Sequence, residues 1–211
     1  MKIIKQTLHD RKRNRLLGYD YSQDGLYFVT FYTRERINYF GGIHNEIMCI
    51  NKLGRIVWEQ WQWLAGQYPY IVLHDFVVMP NHVHGIIQID SSHIKPYTGG
   101  SHIDGSCTDR SRPVPIAQPI NKSYPNVSFA NEGGSQPAPT ANDAIKIKPL
   151  SELIGALKTT SSKYIHHNGF ENFKWQRSFY DHIIRDEKSF FAIQNYINKN
   201  PAKWWRDRNN F

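Results

Sequence analysis

The chain has 211 residues, 40% of them hydrophobic, which suits one domain with a sizeable core plus extra segments. No run approaches the roughly 20 apolar residues of a membrane span, and Cys49 and Cys107 stand alone, without the spacing of a disulfide framework or a cysteine metal site. Of the formal charge of +8, residues 1–20 carry +4 and residues 150–211 another +4, against −2 in 21–90 and +2 in 91–149, so basic ends flank a near-neutral middle in a pattern that suits a polyanion.

The opening "MKIIKQTLHD" has a lysine at position 5 and no apolar signal core, so a cytoplasmic, reducing setting is the expectation. A basic arm follows, with Arg11, Lys12, Arg13 and Arg15 within five positions, ending in turns at Gly18 and Asp24-Gly25. Residues 1–25 are therefore set apart as an arm, 26–205 as the single domain and 206–211 as a tail. "LYFVTFYTRER" (26–36), rich in β-branched and aromatic residues, is a predicted strand. In "HNEIMCINKLGRIVWEQWQWLAG" (44–66), Ile47, Ile50, Val57, Trp61 and Leu64 fall near helical spacing, and the span is predicted as a helix bent at Gly54. "YIVLHDFVVM" (70–79) and "HVHGIIQI" (82–89) are two further strands joined by a tight Pro80-Asn81 connection.

Residues 91–148 change character. Seven of the eleven prolines fall there, with Gly-Gly pairs, no tryptophan and no apolar period. Such a composition buries too little surface to offset chain entropy, and a long insertion or loop is predicted. Helical spacing returns in 149–167 through Leu150, Leu153, Ile154 and Leu157. "SFYDHIIR" (178–185) is a fourth strand, and 186–201 a second helix with Phe190, Ile193 and Ile197 on one face, ending near Pro201. The order β-α-β-β-(loop)-α-β-α predicts an α+β, ferredoxin-like fold: a four-stranded antiparallel sheet with helices on one face, plus a C-terminal helix.

Chemistry concentrates in "VVMPNHVHGIIQI" (77–89). Residues two apart on a strand share a face, about 7 Å apart along the chain. His82 and His84 can thus reach one cation, leaving positions for oxygen ligands, although an isolated pair of this kind is also compatible with ordinary hydrogen bonding. On the last helix Tyr196 and Asn200 lie one turn apart, with Ala192 leaving room beside the tyrosine ring. The hydroxyl of Tyr196 can then project past the sheet.

"GYDYSQDGLYFVTFYT", "VVMPNHVHGII", "WQRSFYDHIIRDE" and "NYINKNPAKW", in this order, resemble the REP-associated tyrosine transposases, single-tyrosine members of the His-hydrophobic-His transposases. The resemblance covers about residues 11–90 and 149–205. It implies that His82 and His84 hold Mg²⁺ or Mn²⁺, that Tyr196 is the nucleophile, and that Asn200 supplies a third polar ligand. It further implies a single-stranded DNA partner carrying a hairpin, with the basic arm reading a guide sequence beside it. The long 91–148 insertion departs from the family pattern.

Arg11, Lys12, Arg13 and Arg15 of the arm, and Arg177, Lys199 and Lys203 near the last helix, are the candidate phosphate contacts. Trp175, Trp204 and Trp205 could stack unpaired bases or simply fill the core. Asn81, Gln176 and His182 lie close in sequence to the site elements, and Asn81 and His182 are candidates to support the ion from behind its ligands. A non-catalytic hairpin-binding regulator and a water-using metal hydrolase are the competing readings, and either a monomer or a homodimer fits.

Overall fold

Aromatic and β-branched residues make Gly25–Tyr32 the first strand, β1, in the computed structural model, which describes residues 15–94 and 145–206. Arg11, Lys12 and Arg13, and the predicted insertion between 95 and 144, lie outside the described residues. The strand stops short of the predicted residue 36. A 3-10 turn at Arg34–Arg36 follows, in which Glu35 and Arg36 take left-handed backbone angles (φ 58° and 55°).

The span predicted as one helix from 44 splits in two. Residues Gly41–His44 and Ile47–Ile50 form a hairpin, β2 and β3, and the helix α1 runs only from Lys52 to Gln67. The two-residue connection, Asn45-Glu46, has positive φ at both positions (49° and 63°), the geometry that matches strand twist. Asn51 then caps α1, its side-chain oxygen accepting from the N–H groups of Leu53 and Gly54. Gly54 lies in the first helical turn, where its missing side chain makes room for the Phe40 carbonyl; it serves close approach rather than a bend.

Strands β4 (Ile71–Val78) and β5 (His82–Ile89) follow, then α2 (Leu150–His167), β6 (Tyr180–Ile184) and α3 (Glu187–Asn198). The chain continues beyond α3 as a 3-10 helix, Pro201–Arg206. Strand order is β4-β5-β1-β6, every neighbour antiparallel, as a ferredoxin-like plan requires. The α+β expectation holds, with the β2-β3 hairpin added between β1 and α1.

Each face of this sheet has its own core. On one face α1 and α2 cover Tyr27, Val29, Phe31, Val83 and Ile87, with Trp61 wholly buried. Gly85 faces this side, where the Trp61 ring, stacked on Phe76 at 4.4 Å, occupies the place a β-carbon would take. On the other face α3 rests on Phe28, Ile86 and Ile184 through Ile197, with Phe190 and Ile193 alongside. Because side chains alternate along a strand, burying Val83, Gly85 and Ile87 under α1 and α2 turns His82, His84 and Ile86 toward α3. That alternation places the two histidines beneath the helix that carries Tyr196.

Among the described residues, no helix is long and apolar enough to cross a membrane.

Candidate active site

β5 starts at His82 because Pro80 and Asn81 turn the chain, with Met79 N–H donating to the His82 carbonyl at 2.8 Å. The turn is fastened from outside. Thr33 N–H donates to the Asn81 carbonyl at 2.8 Å, and Phe40 N–H to the Pro80 carbonyl at 3.0 Å. His82 and His84 are 0% and 2% exposed, and their Nε2 atoms meet at 3.0 Å. The Tyr196 hydroxyl lies 3.3 Å from His84 Nε2. The two histidines and the tyrosine singled out by the sequence therefore converge on one point.

The remaining ring nitrogens fix how the imidazoles are presented. Asn81 donates its amide N–H to the Arg36 carbonyl at 2.9 Å, which leaves its side-chain oxygen facing His82 Nδ1 at 2.8 Å. His82 therefore carries its proton on Nδ1, and its Nε2 lone pair is bare. The left-handed turn at Glu35 and Arg36 is what aims that carbonyl at Asn81. His84 Nδ1 is 2.7 Å from Thr30 Oγ1, and a hydroxyl can either donate or accept. His84 can thus expose a proton or a lone pair at Nε2 without moving.

Burial keeps both rings neutral. Lost hydration pushes His84 down to about 3. It pushes His82 down to about 2, with smaller contributions from His84 and from the Arg36 guanidinium, which lies 4.5 Å over the Tyr32 ring. Neutral imidazoles with aligned Nε2 lone pairs are the form that binds a divalent cation.

Asn200 is 3% exposed, and its side-chain oxygen is buried without a hydrogen-bond partner in the structure. An uncompensated buried oxygen is costly, and a hard cation is a suitable partner for it. No group of three or more His, Cys, Asp or Glu that could hold a metal exists among the described residues, so the candidate ligands are the two imidazoles, with the Asn200 amide oxygen as a further polar candidate. This donor set fits Mg²⁺ or Mn²⁺ only with substrate and water oxygens completing the shell.

Aromatic rings hold the pair in place. Trp204 stacks on His82 with centroids 6.0 Å apart, Phe28 stacks on His84 at 5.6 Å, and Phe28 also meets the Tyr196 ring edge-to-face at 6.1 Å. Trp204 is 3% exposed, while Trp175 packs among Phe31, Phe40 and Phe173. Trp204 belongs to the interior, Trp175 is half-buried, and Trp205, 71% exposed, is the most open of the three.

Of the other candidates, Lys199 and Lys203 are exposed beside Asn200, and Arg177 is exposed before β6. Arg15 lies 3.9 Å from Asp181 and over the Phe179 ring. Gln176 reaches the site end of the sheet only through its backbone, whose N–H donates to the Tyr32 carbonyl at 2.8 Å. His182 shares the sheet face of the pair, opposite Phe28, but is exposed, and no hydrogen bond among the described residues ties it to the pair. Its predicted place behind the ligands is filled instead by Thr30.

Thr30, Arg36 and Asp75 are the neighbours that sequence reasoning misses. Asp75 sits at an irregularity of β4, between Leu73 and Phe76, and accepts from Gln194 at 2.6 Å and Asn198 at 2.9 Å on either side of Tyr196. Alternation from Phe28 could have put Thr30 on the right face, but its pairing with His84 needs the register.

The fold and site thus define a His-hydrophobic-His pair on a ferredoxin-like sheet, faced by a phenol from the covering helix. No protein-family model matches the chain. It is 29% identical over 201 residues to an uncharacterized protein of Haemophilus influenzae, covering 95% of this chain and 93% of that one. Among solved structures it is similar to a REP-associated tyrosine transposase bound to a REP hairpin, with a TM-score of 0.48, 15% identity, and 91% of this chain and 73% of that chain covered. It is also similar to a proposed transposase from Deinococcus radiodurans, with a TM-score of 0.39, 14% identity, and 87% and 94% covered.

Proposed function

We propose that this protein cleaves and rejoins single-stranded DNA beside a hairpin through a 5′-phosphotyrosine at Tyr196, with Mg²⁺ or Mn²⁺ at His82, His84 and Asn200. The observation that carries this reading is the Tyr196 hydroxyl 3.3 Å from His84 Nε2, on a pair of buried, neutral imidazoles. A hydrogen bond from His84 Nε2 to His82 Nε2 accounts for the facing nitrogens, but a structural pair leaves unexplained a phenol delivered to it by a separate helix.

In the proposed step the phenol oxygen of Tyr196 bonds to phosphorus as the bond from phosphorus to the 3′ oxygen breaks. The phenol proton is lost, and the 3′ oxygen gains one to leave as a hydroxyl. A bound divalent ion would stabilise charge on the non-bridging oxygens and on the leaving oxygen. A lone pair committed to a cation cannot also serve as a base. The proton of Tyr196, which is 40% exposed, therefore leaves to solvent. An ordinary phenol has a pKa of about 10, so the ion's help with the phosphate is needed at neutral pH. Storing the bond as a phosphotyrosine makes the step reversible, and a different 3′ hydroxyl can attack to join strands.

A labelled hairpin oligonucleotide with a single-stranded flank, incubated with Mn²⁺ and run on a denaturing gel, tests the reading. Wild type is expected to yield a protein-linked band that Tyr196→Phe lacks. His82→Ala is expected to lose the band while hairpin affinity stays within about threefold, because cations elsewhere supply the binding. Binding without any adduct in wild type would favour a regulator. Released product with no adduct, insensitive to Tyr196→Phe, would favour a hydrolase.

A further inference from the structure

An open basic groove of about 930 Å³ lies across the fold from α3 and has no part in the chemistry above. One wall is the outer face of α2, where Lys163 and His167 stand four residues apart; the other is the segment after it, with Lys174 and Arg177. Lys163, Lys174 and Arg177 are exposed, and none enters a salt bridge among the described residues. Among the described residues, Glu171 is the only acid on the lining. Three unneutralised cations around one groove are an electrostatic footprint for phosphates.

The groove is built. Gly169, at φ 86°, ends α2 in the left-handed conformation and sends the chain back along the helix. Lys158, half-buried on α2, donates to the carbonyls of Gln176 at 2.9 Å and Ser178 at 3.0 Å, fixing the far wall. Arg15 and Lys158 approach the same Phe179 ring, at 4.9 and 5.8 Å, so the basic arm enters the described fold on this flank.

Two features identify the ligand. Unpaired bases need an exposed aromatic face, but Phe173 is 1% exposed, and the half-buried Trp175 ring is edge-on or tilted against Phe31, Phe40 and Phe173 while its N–H donates to Ser161. The groove thus offers more charge than stacking surface, which suits a paired backbone. Its end also adjoins the active-site end of the sheet. Thr33 pairs with Trp175, Gln176 N–H binds the Tyr32 carbonyl, and Tyr32 lies directly opposite His82. Strands are about 4.8 Å apart, so Gln176 is on the order of 10 Å from the His82 backbone.

We propose that Lys163, Lys174 and Arg177 grip the duplex stem of the DNA hairpin, so that the strand leaving the stem passes over the end of β1 toward the histidine pair. This rests on the DNA reading above and adds the surface and the part of the substrate it holds.

The test is fluorescence anisotropy over a salt series, comparing wild type with Lys163→Ala, Lys174→Ala, Arg177→Ala combined, on a hairpin and on an unpaired oligonucleotide of equal length. All three side chains are exposed, so the fold is not at stake. The combined variant is expected to bind the hairpin at least about tenfold more weakly, with the slope of log K against log salt reduced by about 2 to 3. Affinity for the unpaired oligonucleotide should stay within about twofold, because no stem is present to be gripped. Unchanged hairpin affinity and slope in a protein that does form the adduct would overturn the inference alone, as would equal losses on both oligonucleotides. If wild type neither binds the hairpin nor forms an adduct, the DNA reading falls and the groove assignment with it.

Discussion

Thr30 and Asn81 decide what the two imidazoles can do, although neither faces the reacting groups. Asn81 commits His82 to one tautomer, whereas Thr30 lets His84 hold either. Thr30→Val keeps the shape but leaves His84 Nδ1 without its hydroxyl partner. Loss of such a partner typically weakens metal binding by about 10–100-fold. Mn²⁺ titration by calorimetry should show a loss of that size, and an unchanged affinity would remove Thr30 from the site. The rings also make stability depend on pH. An unfolded histidine takes up a proton near pH 6.5, whereas burial holds the folded His84 and His82 down to about 3 and about 2. Between those values the unfolded chain binds more protons, so stability is full above about pH 6.5 and falls as pH is lowered, by up to about 1.4 kcal/mol per unit for each ring. Urea unfolding at pH 7 and pH 5 should show this loss, with a shallower dependence in His82→Gln. Equal pH dependence in the two proteins would mean that His82 titrates normally.

α3 reaches the site on two kinds of contact. Ile197, with Phe190 and Ile193, seats it on the sheet, and Asp75 ties down Gln194 and Asn198 on either side of the tyrosine. The apolar contacts fix which face of α3 points inward, while the carboxylate limits how the helix slides. Asp75→Ala is therefore expected to slow adduct formation by about tenfold, since small misplacements of a nucleophile are costly. Mn²⁺ affinity should be unaffected, as no hydrogen bond among the described residues links Asp75 to the imidazoles. An unchanged adduct rate would assign α3's position to apolar packing alone. Much of this element was legible beforehand, because the Phe190, Ile193, Ile197 period places Tyr196 at the edge of the buried face. Asp75 was not, because an irregularity inside a strand leaves no local signal. The β2-β3 hairpin was hidden for a related reason. Its turn is Asn45-Glu46 rather than the Asn-Gly that announces such a turn, and Ile47 and Ile50 fall into the helical period of the residues that follow.

Assembled, the chain sets its chemistry on one face of a sheet and a cationic groove beyond that sheet's end. Strand alternation made the histidine pair legible from His82, Val83 and His84 alone, and the element order gave the sheet its strand sequence. The groove was legible only through Arg177. Lys163 and Lys174 are eleven residues apart and meet because the chain reverses at Gly169, which composition does not reveal. What joins the halves is the claim that Tyr196 becomes covalently bound to DNA. Trypsin should release Ser189–Lys199, a peptide with Tyr196 as its only tyrosine. After incubation with Mn²⁺ and a hairpin carrying a single-stranded flank, mass spectrometry of the nuclease-trimmed adduct should place a nucleotide phosphate on that tyrosine. A cleaved oligonucleotide with the peptide unmodified, or a phosphate linked to any other residue, would contradict the account.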